Sequence, residues 1–573
     1  MSMHAFPRWV ARRTCATSIL LKRSPARDLQ KRTHQKRQFA QHASYVNRCL
    51  GWNHLPVHWC GRYTHPRQLT GNHLLAKVHS FNLIGIEAQL CEVEVDVSQR
   101  GLSKTTIVGL AQAAVKESIE RVRRAIINSG YAFPSHALLI NLAPADVKKE
   151  GPALDLPIAI GLLRGSNFIQ NDRHKQYLIA GELALDGRLR KIKGGLSLAL
   201  LAKREKMRGV VLPQENAREA AVVEGIEVYP CATLAQAVAF LNEQLPLEPY
   251  ELDGEVYEAS KLAPALDFVD VRGQEAVKRA ITIACSGSHN LLMLGPPGTG
   301  KTMLAQRIPG ILPPLSRAES LETTRIYSAL GLLPDGIALM DERPVRTPHH
   351  SATAQALVGG GSIPRPGEVS LAHNGILFLD ELPEFSRYVL EMLRQPLESG
   401  EVTIARVHGS IRFPARFMLV AATNPTASGH APTDPRARDK YLGKLSGPLL
   451  DRIDIHVEVP SVPYRELTSR RPGTDSGTMR QQVLAARDRQ RHRFGDDTHN
   501  AAMNSKQLKQ HCELSDSCLL LMKQAMDELG LSARAYDKVR RVARTIADIE
   551  GSDAIHEHHV AEAVQYRLLD RKL

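Results

Sequence analysis

The segment Gly295–Thr302 constrains this chain more than any other stretch, because its pattern requires one local fold. It consists of Gly295, Pro296, Pro297, Gly298, Thr299, Gly300, Lys301 and Thr302, and it follows the apolar run Leu291–Leu294. This G-x-x-x-x-G-K-[ST] pattern is typical of a strand, a phosphate-binding loop and a helix. The glycines let backbone N–H groups wrap tightly around phosphates. We expect Lys301 to reach the β- and γ-phosphates of a nucleoside triphosphate and Thr302 to bind Mg²⁺.

Length and composition indicate a folded protein of several domains. A chain of 573 residues is too long for one core, so two to four domains are expected. Its 43% hydrophobic and 23% charged residues are ordinary for a soluble globular protein. No apolar run approaches a membrane-spanning length, so we predict no membrane partner. The eight cysteines contain no C-x-x-C pair, which favours a reducing cytoplasm over a disulfide scaffold.

The net charge of +14 is concentrated at the start of the chain. Residues 1–76 hold 13 of the 74 Lys and Arg but one of the 60 Asp and Glu. This segment has no sustained periodicity, so we predict that residues 1–75 form a disordered basic extension. Two alternatives are a transit-peptide-like leader and a true translation start near Leu74 or Leu75. The charge therefore says little about nucleic-acid binding by the folded part.

Periodic sequence begins near residue 76. From 76 to 243, β-like runs such as Cys91–Val97 alternate with helical patterns such as Ala113–Asn128. This alternation predicts a first α/β domain. Residues 244–264 are polar and contain several prolines, which is typical of a linker.

The remaining chain divides into two further parts. Residues 265–460 predict a second α/β domain, which contains the phosphate-binding loop. Residues 461–573 have a helical pattern. Within them we interpret the basic run Arg487–Arg493 as a solvated helix face.

A second motif supports nucleotide hydrolysis. The apolar residues 376–379 are followed directly by Asp380 and Glu381. In a parallel sheet such a strand presents both carboxylates at the ligand-binding edge. We expect Asp380 to bind the Mg²⁺ shell and Glu381 to orient and deprotonate the attacking water.

Two further polar residues follow apolar segments. Asn424 ends the apolar run that begins at Phe417, and it is a candidate contact for the γ-phosphate or its water. The alternative for Asn424 is an ordinary turn before Pro425. Arg452 lies in a short polar break and is a candidate for stabilising the transition state in a neighbouring subunit. The alternative for Arg452 is a surface ion pair with Asp451 or Asp454.

Several longer strings, together with these motifs, resemble the YifB/ComM family of bacterial magnesium-chelatase-like AAA+ ATPases. The strings are T-I-V-G-L at Thr106–Leu110, N-L-A-P-A-D at Asn141–Asp146, K-E-G-P at Lys149–Pro152, R-T-P-H-H at Arg346–His350, V-G-G-G at Val358–Gly361, R-P-G-E at Arg365–Glu368 and L-S-G-P-L-L-D-R at Leu445–Arg452. The resemblance covers residues from about 76 to 573.

The resemblance implies an α/β protein of three parts. These are a Lon-protease-like (ribosomal S5 domain 2-like) N-terminal domain, an AAA+ P-loop core with a parallel sheet, and a C-terminal helical lid. It implies ATP and Mg²⁺ as cofactors and a homo-oligomeric ring, by analogy a hexamer. It also implies that Asn424 is sensor 1 and Arg534 sensor 2 at the nucleotide of their own subunit, and that Arg452 is an arginine finger for a neighbouring subunit.

The resemblance also implies two insertions that engage DNA. One is Thr347–His373, and the other is a hairpin formed by Glu401–Arg406 and Ser410–Phe413. Candidate phosphate contacts on the hairpin are Arg406, His408 and Arg412. A solvent-facing strand pair without a ligand is the alternative.

The chain departs from related sequences at two places. Ala153 and Ala199 occupy the positions of the Ser–Lys dyad of Lon-type proteases, and Ser197 would have no amine to activate it, so we do not expect peptidase activity. The loop after Asn424 contains no cysteine, whereas many relatives have a Cys-rich loop there. We therefore expect no thiolate metal site in this loop.

These observations lead to three functional hypotheses. The first is an ATP-hydrolysing motor that acts on DNA as a helicase or branch-migration factor during natural transformation. The second is a magnesium-chelatase-like ATPase that remodels a protein or cofactor. The third, an ATP-dependent protease, is disfavoured by Ala153 and Ala199.

Overall fold

The computed structural model describes residues 75–98, 104–110, 113–149, 151–252, 266–361, 364–406, 409–426, 441, 443–467, 473–495 and 498–567. The predictions made for residues 1–74, for His408 and for most of the linker lie outside the described residues. The described residues belong to one compact unit, Asn72–Leu573. Among them, no helix combines the length and apolarity needed to cross a bilayer.

The first α/β segment contains two larger sheets and a short strand pair. Its strands are β1 (Ala76–Ile84), β2 (Glu87–Val97), β3 (Thr105–Val108), β4 (Leu138–Ala143), β5 (Tyr177–Ile179), β6 (Glu182–Leu183), β7 (Leu189–Arg190), β8 (Gly209–Pro213) and β9 (Glu227–Cys231). Its helices are α1 (Ala113–Asn128), α2 (Asp155–Gly165), α3 (Gly195–Arg204), α4 (Ala217–Ala220) and α5 (Leu234–Leu241). The strand orders are β1-β2-β4-β3 and β5-β8-β9. The predicted helix Ala113–Asn128 coincides with α1, and the predicted strand Cys91–Val97 lies within β2.

The second segment is built on one parallel sheet. Its strands are β10 (Leu291–Leu294), β11 (Val345–Arg346), β12 (Gly359–Gly360), β13 (Arg365–Pro366), β14 (Ile376–Leu379), β15 (Glu401–Arg406), β16 (Gly409–Pro414), β17 (Met418–Thr423) and β18 (Ile455–Glu458). Its helices are α6 (Glu275–Gly287), α7 (Lys301–Arg307), α8 (Arg317–Leu330), α9 (Ala354–Val358), α10 (Glu368–Leu371), α11 (Arg387–Met392), α12 (Arg394–Ser399), α13 (Gly447–Leu450) and α14 (Tyr464–Leu467).

The five-stranded sheet has the order β11-β14-β17-β10-β18, and every neighbouring pair is parallel. All residues of β10, β14 and β17 are buried. Continuous apolar runs of this kind fit a sheet that is covered on both faces. Because the strands are parallel, the residues that follow them meet at one edge, here called the carboxyl edge. Residues that precede the strands lie at the opposite, amino edge.

The C-terminal segment is helical in the described residues. It consists of α15 (Ser476–Phe494), α16 (Ser505–His511), α17 (Asp516–Leu529), α18 (Ala533–Glu550) and α19 (Glu557–Gln565). Apolar residues of α15, α18 and α19 join the core formed by α6 and one face of the parallel sheet. The mixed α/β fold with a parallel sheet is confirmed.

The interpretation of Arg487–Arg493 as a solvated helix face is wrong for part of this run. Arg487 is buried and donates two hydrogen bonds to the Cys285 carbonyl, at 3.2 and 2.8 Å. That carbonyl lies in the last turn of α6, where carbonyl groups lack partners within the helix. Arg493 pairs with the buried Asp548. The polarity of the run therefore predicted exposure of these side chains to solvent, whereas the fold provides buried hydrogen-bond acceptors for them.

Candidate nucleotide site at the carboxyl edge

The phosphate-binding loop connects the central strand β10 to α7. Gly298 and Gly300 have φ values of 77° and 88°, which side-chain-bearing residues rarely adopt. Gly295 has a different reason to be glycine, because a Cβ there would lie 2.3 Å from the Val459 carbonyl oxygen. The sequence therefore folds locally as its pattern predicts, and the loop opens at the carboxyl edge.

Lys301 is the first residue of α7, and its side chain turns back into the loop. Its Nζ donates to the carbonyl oxygens of Gly295 at 2.7 Å and Pro296 at 2.8 Å. It also donates to Oδ1 of Asn424 at 3.0 Å. Asn424 follows β17, the strand paired beside β10. The structure therefore brings Lys301 and Asn424 into direct contact.

The environment of Lys301 acts on its charge in two directions. Burial lowers the pKa of the ammonium group, and the carboxylates of Asp380 and Glu381 partly oppose that shift. Lys301 is buried, and a cation that has lost much of its hydration is suited to bind an anionic phosphate.

Thr302 and Asp380 form the second contact of the site. Oγ1 of Thr302 donates to Oδ2 of Asp380 at 2.7 Å. The other carboxylate oxygen, Oδ1, accepts the backbone N–H of Glu381 at 2.9 Å. Hydroxyl and carboxylate oxygens are the hard ligands that Mg²⁺ prefers. The pair therefore fits a Mg²⁺ site beside the phosphate-binding loop.

Glu381 occupies an unusual backbone position at the same edge. Its φ of 51° is in the left-handed region, which is uncommon for residues other than glycine. Its carboxylate is half exposed, and Oε2 lies 3.8 Å from Nδ1 of His350. The sequence analysis assigned His350 to the first insertion and gave it no role at this site.

Arg452 and Arg534 do not lie at the carboxyl edge with the phosphate-binding loop. Arg452 precedes β18, whose first residue is paired beside the start of β10. The N–H of Asp454 donates to the Asn290 carbonyl at 3.0 Å, which fixes this segment at the amino edge. The four residues of β10 separate Asn290 from Gly295, which is five steps of extended chain or roughly 16 Å. Arg452 therefore cannot reach the phosphate-binding loop of its own subunit.

Arg452 and Arg534 contact different acids in the same region. The Arg452 guanidinium pairs with Glu398 and donates to the Pro448 carbonyl at 2.7 Å. Its partner is thus neither Asp451 nor Asp454, the two acids considered from sequence. Arg534 lies 4.0 Å from Asp451, the residue before Arg452. The two arginines share the amino edge.

A cleft of about 600 Å³ lies next to the loop and was missed by sequence reasoning. Its walls come from residues 272–277, at the start of α6, and from residues 460–463, which continue the chain beyond β18. Gln274 has a φ of 61° and donates to the Pro460 carbonyl at 2.6 Å, while its Oε1 is buried without a hydrogen-bond partner. In the sequence, the feature that marks the wall of this cleft is the short string V-R-G-Q at 271–274, and that string does not by itself identify a binding site.

The positions considered for a protease dyad lie in the first segment. Ala153 and Ala199 contribute to the same apolar cluster. The buried Ser197 hydroxyl donates to the Ile86 carbonyl at 2.9 Å. Of the hairpin candidates, Arg412 is exposed on β16, whereas Val402 and Phe413 are buried on the opposite face of the hairpin.

Comparison with known proteins adds three family matches. The profile described as magnesium chelatase, subunit ChlI, matches residues 267–467. The profile described as subunit ChlI of Mg-chelatase matches residues 93–216. The profile described as magnesium chelatase, subunit ChlI C-terminal, matches residues 473–567.

Individual relatives cover most of the chain. Competence protein ComM of Haemophilus influenzae is 45% identical over 511 residues, which are 87% of this chain and 98% of the relative. The uncharacterized protein YifB of Escherichia coli is 45% identical over 507 residues, with the same coverage. The magnesium-chelatase 38 kDa subunit of Rhodobacter capsulatus is 26% identical over 348 residues, which are 54% of this chain and 89% of that subunit.

Proposed function

The chain belongs to the YifB/ComM family of magnesium-chelatase-like proteins, and from this premise we propose that it is a ring-forming ATPase that moves along DNA. The observation that carries the proposal is the separation of two sets of residues. The phosphate-binding loop and its polar partners lie at the carboxyl edge, whereas two arginines lie at the amino edge. Hydrolysis would then require two subunits.

The phosphate-binding loop would supply the contacts to ATP before hydrolysis. Its backbone N–H groups and Lys301 would hold the phosphates of ATP, with Lys301 exchanging its carbonyl acceptors for phosphate oxygens. The cleft beside Gln274 has the size to take a nucleotide base. Thr302 and Asp380 would hold Mg²⁺. When bound there, Mg²⁺ would neutralise charge on the phosphate oxygens.

The hydrolytic step is assigned to the neighbouring side chains. Glu381 would accept a proton from the attacking water, and Asn424 would orient that water or the γ-phosphate. Arg452 and Arg534 of one subunit would face the nucleotide of the next, where a guanidinium stabilises negative charge in the transition state. One nucleotide site would therefore need two copies of the chain. A closed ring, by family analogy a hexamer, would complete every such site.

DNA is proposed as the track of this motor. A relative that is 45% identical is named a competence protein, which favours action on incoming DNA during natural transformation. The hairpin of β15 and β16 supports the proposal because it packs one face on the core and leaves Arg412 exposed on the other. Helicase or branch-migration activity is the corresponding reaction.

We propose a corresponding role for each segment of the chain. Residues 76–243 would form a Lon-like domain without protease chemistry, 265–460 the AAA+ core and 461–573 the helical lid. Ala153 and Ala199 would leave the first domain as a collar or partner-binding module. The described cysteines are free thiols, which supports a cytoplasmic location.

The test is ATP turnover with and without DNA. We expect wild-type protein to hydrolyse ATP faster in the presence of branched or single-stranded DNA and to displace a paired strand. Lys301→Ala is expected to abolish both activities, while Lys193→Ala, a substitution in the first domain, leaves them unchanged. Equal turnover with and without DNA, together with no strand displacement, would exclude the DNA motor.

A second candidate is remodelling of a protein or cofactor. It is favoured by the match to 89% of the magnesium-chelatase 38 kDa subunit and by the names of the family profiles. It is disfavoured because that match leaves almost half of this chain uncovered. Stimulation of ATP turnover by a protein partner or a tetrapyrrole, but not by DNA, would support it.

A further inference from the structure

Two contacts join helix α18 to the short segment that precedes β18. Nζ of Lys538 lies 2.6 Å from Oδ1 of Asp454. One helical turn earlier, the Arg534 guanidinium lies 4.0 Å from the Asp451 carboxylate. Residues four positions apart lie on the same face of a helix, and Arg452 stands between the two acids in sequence. The helix that carries one arginine therefore contacts the segment that carries the other on both sides of Arg452.

The contact between Lys538 and Asp454 is the more enclosed of the two. Both side chains are 12% exposed, whereas the Arg534 side chain is 66% exposed. Burial alone would raise the pKa of the Asp454 carboxyl, but the Lys538 ammonium and the His289 ring hold that pKa well below its ordinary value. Desolvation offsets much of the attraction in a shielded ion pair, so a role in fixing the relative position of two elements is better supported than a large gain in stability.

The acidic member of the pair is held to the parallel sheet. The backbone N–H of Asp454 donates to the Asn290 carbonyl at 3.0 Å, and its Oδ2 accepts the Asn290 N–H at 3.1 Å. The Asn290 side chain also donates from Nδ2 to the Arg452 carbonyl at 3.0 Å. Asn290 directly precedes the central strand β10. The backbone of Arg452 and the carboxylate of Asp454 are therefore both fixed relative to the amino edge.

Helix α18 meets this edge through apolar and polar contacts. Apolar residues such as Val539 are buried in the core shared with the sheet, but apolar contacts have no preferred direction. The Thr545 hydroxyl lies 2.8 Å from Nε2 of His289, near the far end of the helix. The contact made by Lys538 is one turn from Arg534, whereas Thr545 is three turns away. Lys538 therefore controls the end of the helix that carries the arginine.

We propose that Lys538 and Asp454 are positioning residues that set Arg452 and Arg534 toward the nucleotide of the next subunit. This inference rests on the proposed function. The ion pair fixes α18 relative to the segment 451–454, so the two arginines keep one mutual arrangement. A guanidinium that stabilises a transition state has to be placed accurately, since a displacement of about 1 Å can lower the rate about a hundredfold. The pair itself touches neither ATP nor Mg²⁺.

The first test removes the charges of the pair. Lys538→Met keeps the length of the side chain, and we expect it to lower kcat about tenfold to a hundredfold while the KM for ATP stays near the wild-type value, because the phosphate-binding loop is unchanged. Asp454→Asn combined with Lys538→Met should show the same loss of kcat. Wild-type turnover in this double variant would mean that the single variant suffers only from an unpaired buried charge, and would refute the positioning role. Lys523→Met, at an exposed position on α17, is the matched control.

The second test locates the defect by mixing variants. In rings assembled at random from Lys538→Met and Lys301→Ala, about a quarter of the sites combine an intact loop with correctly placed arginines, so turnover should rise to as much as about a quarter of the wild-type value. Lys538→Met mixed with Arg452→Ala should show no rise above the two variants alone, because neither chain supplies a correctly placed Arg452. No rise in either mixture would indicate a general structural defect and refute the inference.

The outcomes separate this inference from the proposed function. If Lys301→Ala and Arg452→Ala restore turnover when mixed, but Lys538→Met keeps the wild-type kcat, the pair has no positioning role and action between subunits remains. If those two variants form mixed rings without restoring turnover, action between subunits and this inference are both refuted. If Lys538→Met lowers the melting temperature, the double variant with Asp454→Asn replaces it in both mixtures, and the same results are required.

Discussion

At the scale of single residues, the site depends on contacts between groups that are far apart in sequence. Thr302 and Asp380 are 78 positions apart and meet through one hydrogen bond of 2.7 Å. Thr302 is the second residue of α7, and Asp380 directly follows β14. The position of each residue therefore depends on its own helix or strand. Their contact brings together a hydroxyl and a carboxylate oxygen, which are ligands that suit Mg²⁺.

We predict that Thr302→Ala raises the Mg²⁺ concentration needed for half-maximal ATP turnover by about tenfold or more, because one polar contact to a charged group is lost. Thr302→Ser keeps the hydroxyl and is the matched control, with a Mg²⁺ requirement near that of wild type. The measurement is ATP turnover at a fixed ATP concentration over a Mg²⁺ titration. An unchanged requirement in Thr302→Ala would show that the hydroxyl does not bind the ion.

At the scale of elements, strand β18 carries a polar residue into the core. His456 is 2% exposed, so its ring is removed from water. Burial moves the pKa of His456 well below its ordinary value, and the nearby Arg567 and Lys538 act in the same direction. The folded protein therefore keeps this ring neutral, whereas the unfolded chain protonates it below pH 6.5.

This difference makes β18 a source of acid sensitivity. The unfolded state binds the additional proton, so stability is complete above pH 6.5 and falls as the pH decreases below it. We predict that His456→Leu removes about 1.4 kcal/mol of the loss in unfolding free energy between pH 7.5 and pH 5.5. Urea denaturation at the two pH values measures this quantity. An unchanged pH dependence in His456→Leu would contradict the prediction.

Contacts between elements also connect the first α/β segment to the parallel-sheet segment. The Gly194 N–H donates to the Ser328 carbonyl at 2.9 Å, and Lys191 pairs with Asp335 at 2.7 Å. The turn between β1 and β2 is close to the hairpin, since a Cβ on Gly85 would lie 2.9 Å from side-chain atoms of Ile411 and Phe413. This turn thus touches the element that leads into β17 and Asn424.

At the scale of the whole molecule, the fold separates the residues proposed to act on one nucleotide. Arg452 is at the amino edge, with its guanidinium paired to Glu398, and Lys301 is at the carboxyl edge. The interaction with Arg452 lowers the pKa of Glu398, which agrees with an attractive pair. Assembly would exchange this pair for contact with a neighbouring subunit's phosphates.

The consequence is testable by mixing two inactive variants. Lys301→Ala lacks the phosphate contact, and Arg452→Ala lacks the cation offered to the next subunit. In a randomly assembled 1:1 ring, about a quarter of the sites combine an intact loop with an intact arginine. We therefore expect ATP turnover of the mixture to recover to as much as about a quarter of the wild-type value.

Lys301→Ala mixed with a chain that carries both substitutions is the control, because no complete site can form. Recovery in the first mixture and none in the second would place Arg452 across the interface. Rings that form from the first mixture and remain inactive would refute action between subunits. Size-exclusion chromatography of each mixture checks that the rings form.

The sequence by itself determined the local features of this protein. The loop Gly295–Thr302, the carboxylates after β14 and helix α1 all depend on periodicity or on backbone requirements within a few residues. The mixed α/β class with a parallel sheet follows from the same short-range patterns. Family strings extended this to the identity of the family, which the 45% identical relatives confirm.

Only the tertiary structure decided which distant residues meet. Strand order and register bring His350 beside Glu381, place Arg452 beyond the reach of its own loop, and join residues 272–277 to 460–463 around a cleft. Buried partners also changed the interpretation of Arg487, because a carbonyl at the end of α6 satisfies its guanidinium. Local propensity contains no information about these pairs, since they depend on how separate strands and helices pack.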